Sequence, residues 1–527
     1  MADDPKAELE VDAAEVRVPT PWQRLAAWLG PPRDYRLTRW LVLRLLGVVY
    51  VASFAGILAQ GLPLFGEHGL TPVGTHVAEL RAQGLGFVDV PTLFHAGASD
   101  GAILAWAVVG LVLALALVVG YANLPSLLVL WQIYGSFERV GGLWFGFGWE
   151  IQLLETGFLA AFLAHPWDPR PLAARAPPVL AIVLFRWLAF RIYLGAGLIK
   201  LRGADCWTDL TCLDAHFETQ PLPNPLSPAF HHLPHALHAV GVVANHLVEV
   251  VLPWFVFGPR VLRLVAGCAM AAFQITLVAS GNLAFLNWLT LVPILACFDD
   301  DFLRRLAPRR AHAWLARRLA RGGAPARLPH RIAVYALAAL VALKSLDVVG
   351  NLMSSHQAMN RSYDRLALVN TYGAFGSIDF VRHELVIEGT LDADPEHATW
   401  LAYELPCKPG ALERRPCLLG PYHRRLDWLI WFAAMSDTPR DAWVLHLVWK
   451  LLDGDRGIRE LFAVDPFDGR APAWIRIRRF VYHLEPYGAD AWWSRDHEEA
   501  WLAPVSLATP GLRDALARFG WPSPTAR

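Results

Sequence analysis

Over its first two thirds the chain alternates apolar runs of about twenty residues with short polar connections. Residues 40–60, 102–122, 124–140, 143–164, 179–199, 237–257, 261–280, 283–298 and 332–350 each read as a membrane helix, because a span needs roughly 20 predominantly apolar residues. The pair within 124–164 reads equally well as one re-entrant hairpin, which leaves every orientation unchanged. Beyond Asn351 the period shortens. Residues 363–370, 380–388 and 474–483 are β-rich and partly alternating, as strands are, and residues 428–435 and 443–452 have helical spacing. The pattern predicts a polar arm at 1–35 and an α-helical multi-pass membrane protein of about nine spans at 36–350. An α+β domain at 351–527 follows, large enough for its own core.

Composition supports this division. Of 527 residues, 55% are hydrophobic and 18% charged, against about 45–50% apolar and about 25% charged in soluble domains. The 47 basic and 47 acidic residues cancel, so no overall field recruits nucleic acid, and that class of partner is excluded. The bilayer itself is the first partner. Residues 1–35 lack the order of a secretory leader, which leaves the first span as the address.

The orientation signal is an arginine-rich loop between Asp299 and Arg331, including Arg304, Arg305, Arg309, Arg310, Arg317 and Arg318. Basic loops stay cytoplasmic. Counting back through alternating spans puts the N-terminus inside, and residues 201–235 and 351–527 outside. A composition rich in Ala, Arg, Pro and Gly reads as a high-GC bacterial coding style. The membrane is then the plasma membrane, or the endoplasmic reticulum membrane if the host is eukaryotic.

Chemistry concentrates at 195–225, where an apolar helix ends in Lys200 and runs into a polar segment with Cys206 and Cys212. Lys200 reads as a snorkelling anchor, its stem along the lipid and its ammonium at the headgroups. Cys206 with Cys212, and Cys407 with Cys417, fall in segments placed outside, where structural disulfides form; free thiols or a redox or metal role are the alternatives. Cys268 and Cys297 lie in spans as small apolar residues. His231, His232, His235 and His238 have no cysteine partners at zinc spacing and read as interfacial, so no metal and no cofactor is expected.

Charges inside spans cost several kcal/mol unless paired or facing a cavity. Glu150, Glu155, Arg186, Arg191, His246 and Glu249 qualify. Pairing of Arg186 or Arg191 with one of the glutamates, or a polar substrate or proton site, accounts for them. His246 and Asn245, three and four residues before Glu249, share a helical face with it. Asn282, Asn287 and Trp288 suit interhelical hydrogen bonding.

The strings GAGLIKLRGADCWTDLTC (195–212), HFETQPLPNP (216–225), SGNLAFLNWLT (280–290), LACFDD (295–300), VNTYGAFGSI (369–378) and YHRRLDWLIWFAA (422–434) resemble the lipase maturation factor family. Its animal members are multi-pass proteins of the endoplasmic reticulum that help secreted lipases fold and dimerise. The resemblance implies a folding factor without catalysis of its own, with exported proteins such as lipases as clients. It also implies client-binding surfaces around Trp207, His216, Tyr372, Phe375 and Trp428. A terminal retention signal is absent from the sequence. A shorter likeness, YLGAGLIKL at 193–201, is similar to the segment of vitamin K-dependent γ-carboxylases that holds their catalytic lysine. It implies a membrane enzyme with Lys200 as base and His246 and Glu249 as companions.

Overall fold

A computed structural model describes residues 34–320, 323–439 and 441–518, so nearly all of the arm expected at 1–35 lies outside the described residues. Among the described residues, six helical segments are long and apolar enough to cross a membrane: α1 (Arg36–Phe65), α2 (Asp100–Val119), α5 (Val179–Arg202), the segment His235–Phe257 that opens with α7 (His235–His246), α8 (Arg260–Ser280) and α10 (Leu328–Met353). The other three expected spans are α3 (Leu124–Val140), α4 (Gly148–Leu163) and α9 (Leu286–Ile294), of 17, 16 and 9 residues. At 1.5 Å per residue none reaches the roughly 30 Å of a hydrocarbon core. Six spans of full length are therefore present by length and composition, and these three fall short of that measure.

The shorter helices nevertheless run between the same two ends of the bundle. At one end Asp300 accepts from the Arg36 and Leu37 amides at 3.0 and 2.8 Å, a carboxylate on the positive terminus of α1. Arg260, at the start of α8, donates to Asp299 there at 2.6 Å, and the Arg263 guanidinium bonds the Cys297 carbonyl just beyond α9. At the other end Gln60 of α1, Lys200 of α5 and Asn282 before α9 sit beside the C-terminal region. α5 is mostly enclosed, with 78% of its most apolar window buried, whereas α2, α8 and α10 bury 28% and present their outer faces. Segment 201–235 is less irregular than expected, for it contains α6 (Cys212–Thr219) and the turn Ser227–His231.

The C-terminal region forms one antiparallel sheet in the order β2 (Leu401–Tyr403), β1 (Arg382–Thr390), β3 (Trp474–Leu484), β4 (Trp493–Val505), with α11 (Arg425–Ala434) and α12 (Ala442–Leu452). The expected strands at 380–388 and 474–483 and both expected helices are present; the strand at 363–370 is not. There Asn370 directs its backbone N–H to the Glu155 carboxylate rather than to a ladder, and a single bridge, Ser362 to Asn370, remains. The separate core is also revised. Val386, Phe480, Tyr482, Leu484 and Trp493 form a small cluster, but Trp428, Ile430, Val444 and Leu447 belong to the same apolar interior as Tyr134 and Leu188 of the bundle.

Candidate functional site: the junction between bundle and C-terminal region

Lys200 is no headgroup anchor. It is buried, and its Nζ donates to both oxygens of Glu249, at 2.8 and 2.7 Å, and to Asn245 Oδ1 at 2.9 Å. Asn245 in turn donates to Glu249 at 3.0 Å. An ammonium has three N–H groups, and all three are occupied. Its open side faces the Trp207 ring, with Nζ 4.9 Å from the centroid. The approach depends on Gly197, where a Cβ would stand 2.6 Å from Val250 and 3.0 Å from Glu249.

Residues Leu247–Val251 form a single π-helical turn. The wider turn separates His246 from Glu249, which an ordinary helix would place on one face. His246 faces the Trp207 carbonyl at 3.0 Å instead of joining the lysine. Lys200 and Glu249 are thus brought together, and the expected third member is not. A lysine locked to a carboxylate and an amide has no free position for proton abstraction, and the enzyme reading has no support in the geometry.

The 369–378 string lies against this cluster. Trp207 Nε1 donates to the Phe375 carbonyl at 2.8 Å, and the His216 and Phe375 rings meet edge to face with centroids 4.9 Å apart. The Cys206–Cys212 disulfide closes the loop around Trp207. Tyr372 donates to Glu155 at 2.7 Å, Asn370 N donates to the same carboxylate at 3.0 Å, and Arg191 joins Glu155 to the Asn370 carbonyl. Gly195 permits the contact, because a Cβ there would stand 2.3 Å from the Tyr372 carbonyl oxygen. Of the two arginines expected to pair with glutamates, Arg191 does so; Arg186 donates instead to the Ala296 carbonyl and Tyr35 hydroxyl, both at 2.8 Å.

The 422–434 string makes a second latch. Arg425 of α11 donates to Glu150 at 2.9 Å and to the Trp144 carbonyl, while Tyr134 bonds the same carboxylate. Gln60 donates to the His423 carbonyl at 2.8 Å and accepts from Arg425 N at 3.0 Å. Trp428 packs edge to face on Trp149, centroids 4.9 Å apart. The Cys407–Cys417 disulfide lies beside it, its Cys417 carbonyl held by Asn282 at 2.8 Å.

A third latch was not anticipated. Arg382 of β1, paired with Glu384 at 2.8 Å, donates to the backbone carbonyls of Glu218, Gln220 and Pro221 in the 216–225 string. The signal in the sequence was an arginine at an inward position of a strand.

Trp207, His216, Tyr372 and Trp428 are buried and Phe375 is half-buried. All five contribute to the junction. The four histidines divide between two carboxylates and a carbonyl: His235 and His238 on Asp214 at 2.9 and 2.8 Å, His231 near Glu218 at 3.4 Å, and His232 on the Leu484 carbonyl. Cys268 and Cys297 are free thiols.

The six apolar helices, with a sheet domain latched to one end of the bundle by buried ion pairs, define a multi-pass membrane protein whose extramembrane part is continuous with its bundle. Residues 37–305 match the lipase maturation factor transmembrane domain and residues 368–503 the lipase maturation factor C-terminal domain. The chain belongs to the lipase maturation factor family. It is 41% identical to lipase maturation factor 1 of Bos taurus, over 93% of this chain and 92% of that one, and 41% identical to the Homo sapiens protein, over 93% and 91%. Lipase maturation factor 2 of Mus musculus is 30% identical over 92% and 85%. No solved structure matches the chain.

Proposed function

We propose that this chain is a membrane-embedded maturation factor for lipases, acting on client proteins as they are exported. The observation that supports the reading best is that both halves of the family pattern match in order over most of the chain. The Lys200 segment falls inside the first of these matches, which favours the folding-factor role over a carboxylase-like one.

In this proposal the arginine-rich segment after Asp299 is cytoplasmic and the sheet domain lies on the export side. The three shorter helices complete the alternation inside the bundle, where flanking polar residues and local thinning accommodate their length. Trp207, His216, Tyr372, Phe375 and Trp428 serve clients by holding the junction in shape rather than by touching them. Exported lipases are the partners, and no cofactor is required.

Deleting the gene in its host and measuring secreted lipase activity per mole of lipase tests the reading. The expected result is inactive or retained lipase, restored by the wild-type gene. Unchanged specific activity of every secreted lipase overturns it.

A further inference from the structure

The three acids that follow α9 are all engaged. Asp299 holds Arg260 at 2.6 Å, Asp300 takes the first amides of α1, and Asp301 pairs with Arg304 at 2.9 Å. The helix Arg309–Ala320 comes next and carries Arg309, Arg310, Arg317 and Arg318, all exposed. Among the described residues neither these four nor the exposed Arg305 before them has an ion-pair partner. A block of guanidinium charge therefore faces outward uncompensated.

The chain gives this helix little support. It has 12 residues, a length that is marginal in isolation, and of these Leu315 alone is buried. Ala311 and Leu319 stand four positions either side of Leu315 and are half-buried, so this stripe faces the protein. Arg310, Trp314 and Arg318 make a second stripe at the same spacing, about 100° around the helix from the first. The chain leaves it uncovered: Trp314 is 38% exposed, with the Arg318 guanidinium 5.9 Å from its ring centroid.

Hydrogen bonds set the level at which the helix lies. Arg36, the first residue of α1, donates to the Leu319 and Arg318 carbonyls at 2.8 and 3.2 Å. Just beyond, Gly323 N donates to the Ala174 carbonyl at 3.1 Å and Ala176 N to the Ala324 carbonyl at 3.0 Å, before Leu328 opens α10. The helix thus sits where two apolar spans begin, at the depth of the headgroups. Leu306, 67% exposed, precedes it, and Leu328, 64% exposed, follows. Unpaired arginines match phosphates, and an exposed Trp set between them matches the interface just beneath, where Trp is enriched.

We infer that the helix Arg309–Ala320 docks on the anionic surface of the bilayer, with Arg310, Arg317 and Arg318 on lipid phosphates and Trp314 inserted between the headgroups. The basic loop then does more than orient the chain, because it selects acidic lipid around the ends of α1 and α10. This rests on the placement of the bundle in a membrane and not on the lipase client. A symmetric bilayer tests it without regard to leaflet, so its failure leaves the maturation role standing.

The experiment is hydrogen–deuterium exchange of the full-length protein in two kinds of nanodisc, phosphatidylcholine alone and phosphatidylcholine mixed equally with phosphatidylglycerol. Exchange across residues 305–320 is expected to be about fivefold slower in the mixed discs, a difference that shrinks at high salt while peptides of α12 stay unchanged. Arg310→Gln/Arg317→Gln/Arg318→Gln should lose the difference, and lysine at the same three positions should keep most of it. Inorganic phosphate or polyglutamate added to the phosphatidylcholine discs should not reproduce the protection. Thermal unfolding checks each variant, and if the glutamine variant does not fold, the lipid comparison and the polyglutamate arm decide. Equal exchange in the two lipids, full protection persisting in the folded glutamine variant, or equal protection by phosphate or polyglutamate overturns the assignment.

Discussion

Arg425 donates to Glu150 across 2.9 Å although the two residues stand 275 positions apart, one in the sheet domain and one in the bundle. Both are buried, so neither charge is stable alone. Arg425→Met is expected to cost about 3–5 kcal/mol, the penalty for leaving one partner of a buried pair. The double variant Glu150→Gln/Arg425→Met should recover at least half of that loss. Thermal unfolding of the purified chain in a double-mutant cycle measures the coupling; additive losses would remove the latch as a unit.

Lys200 and Glu249 allow the corresponding experiment on function. Lys200→Met alone strands a buried carboxylate and should abolish both folding and lipase maturation. Lys200→Met/Glu249→Leu removes both charges and should restore secreted lipase activity, because the pair joins elements and performs no chemistry. A double variant that is stable yet inactive in the lipase secretion assay would sink that view.

Acid should loosen the junction. Burial, reinforced by Lys200, holds the His216 imidazole down at about 4. Burial, with a smaller contribution from Lys450, outweighs the Leu70 carbonyl in bringing His446 to about 4. Burial and then Arg425 keep His423 well below its usual range. His216 and His446 are neutral in the folded chain between about 4 and the unfolded value of 6.5, and His423 is neutral well below that value, while the unfolded chain becomes protonated there. Their stabilisation is complete above the unfolded value and is lost as pH falls toward the folded one, at up to about 1.4 kcal/mol per pH unit for each histidine. Melting curves from pH 8 to 5 should show the decline, and His423→Phe should shrink it. An identical pH profile in that variant would remove His423 from the account.

The thiol inventory is directly countable. Six cysteines form two disulfides, leaving Cys268 and Cys297. Maleimide should add twice to the unreduced, denatured protein and six times after reduction. Four or more additions before reduction would mean that at least one bridge is absent from the mature protein.

Much of the architecture was legible because it follows from local properties. A hydrocarbon core demands length and apolarity within one continuous segment, so α1, α2, α5, α8 and α10 stand out as runs of residues. The arginine-rich loop and the strands at 380–388 and 474–483 were equally visible. Both disulfides were anticipated from pairs of cysteines close in sequence. The motif strings were also readable as strings, and every one of the latches uses residues from them.

What those strings do was decided only in three dimensions. Trp207, Tyr372 and Trp428 invite a reading as exposed recognition residues, yet each packs against an element more than a hundred positions away. Sequence alone determined which segments this protein drives into an apolar environment. The tertiary structure decided which charge meets which: a single π turn gave Glu249 rather than His246 to Lys200, and Glu150 took its partner from a distant helix. The physical reason is that burial depends on a segment's own composition, whereas the pairing of buried polar groups depends on which backbones approach closely enough to satisfy them.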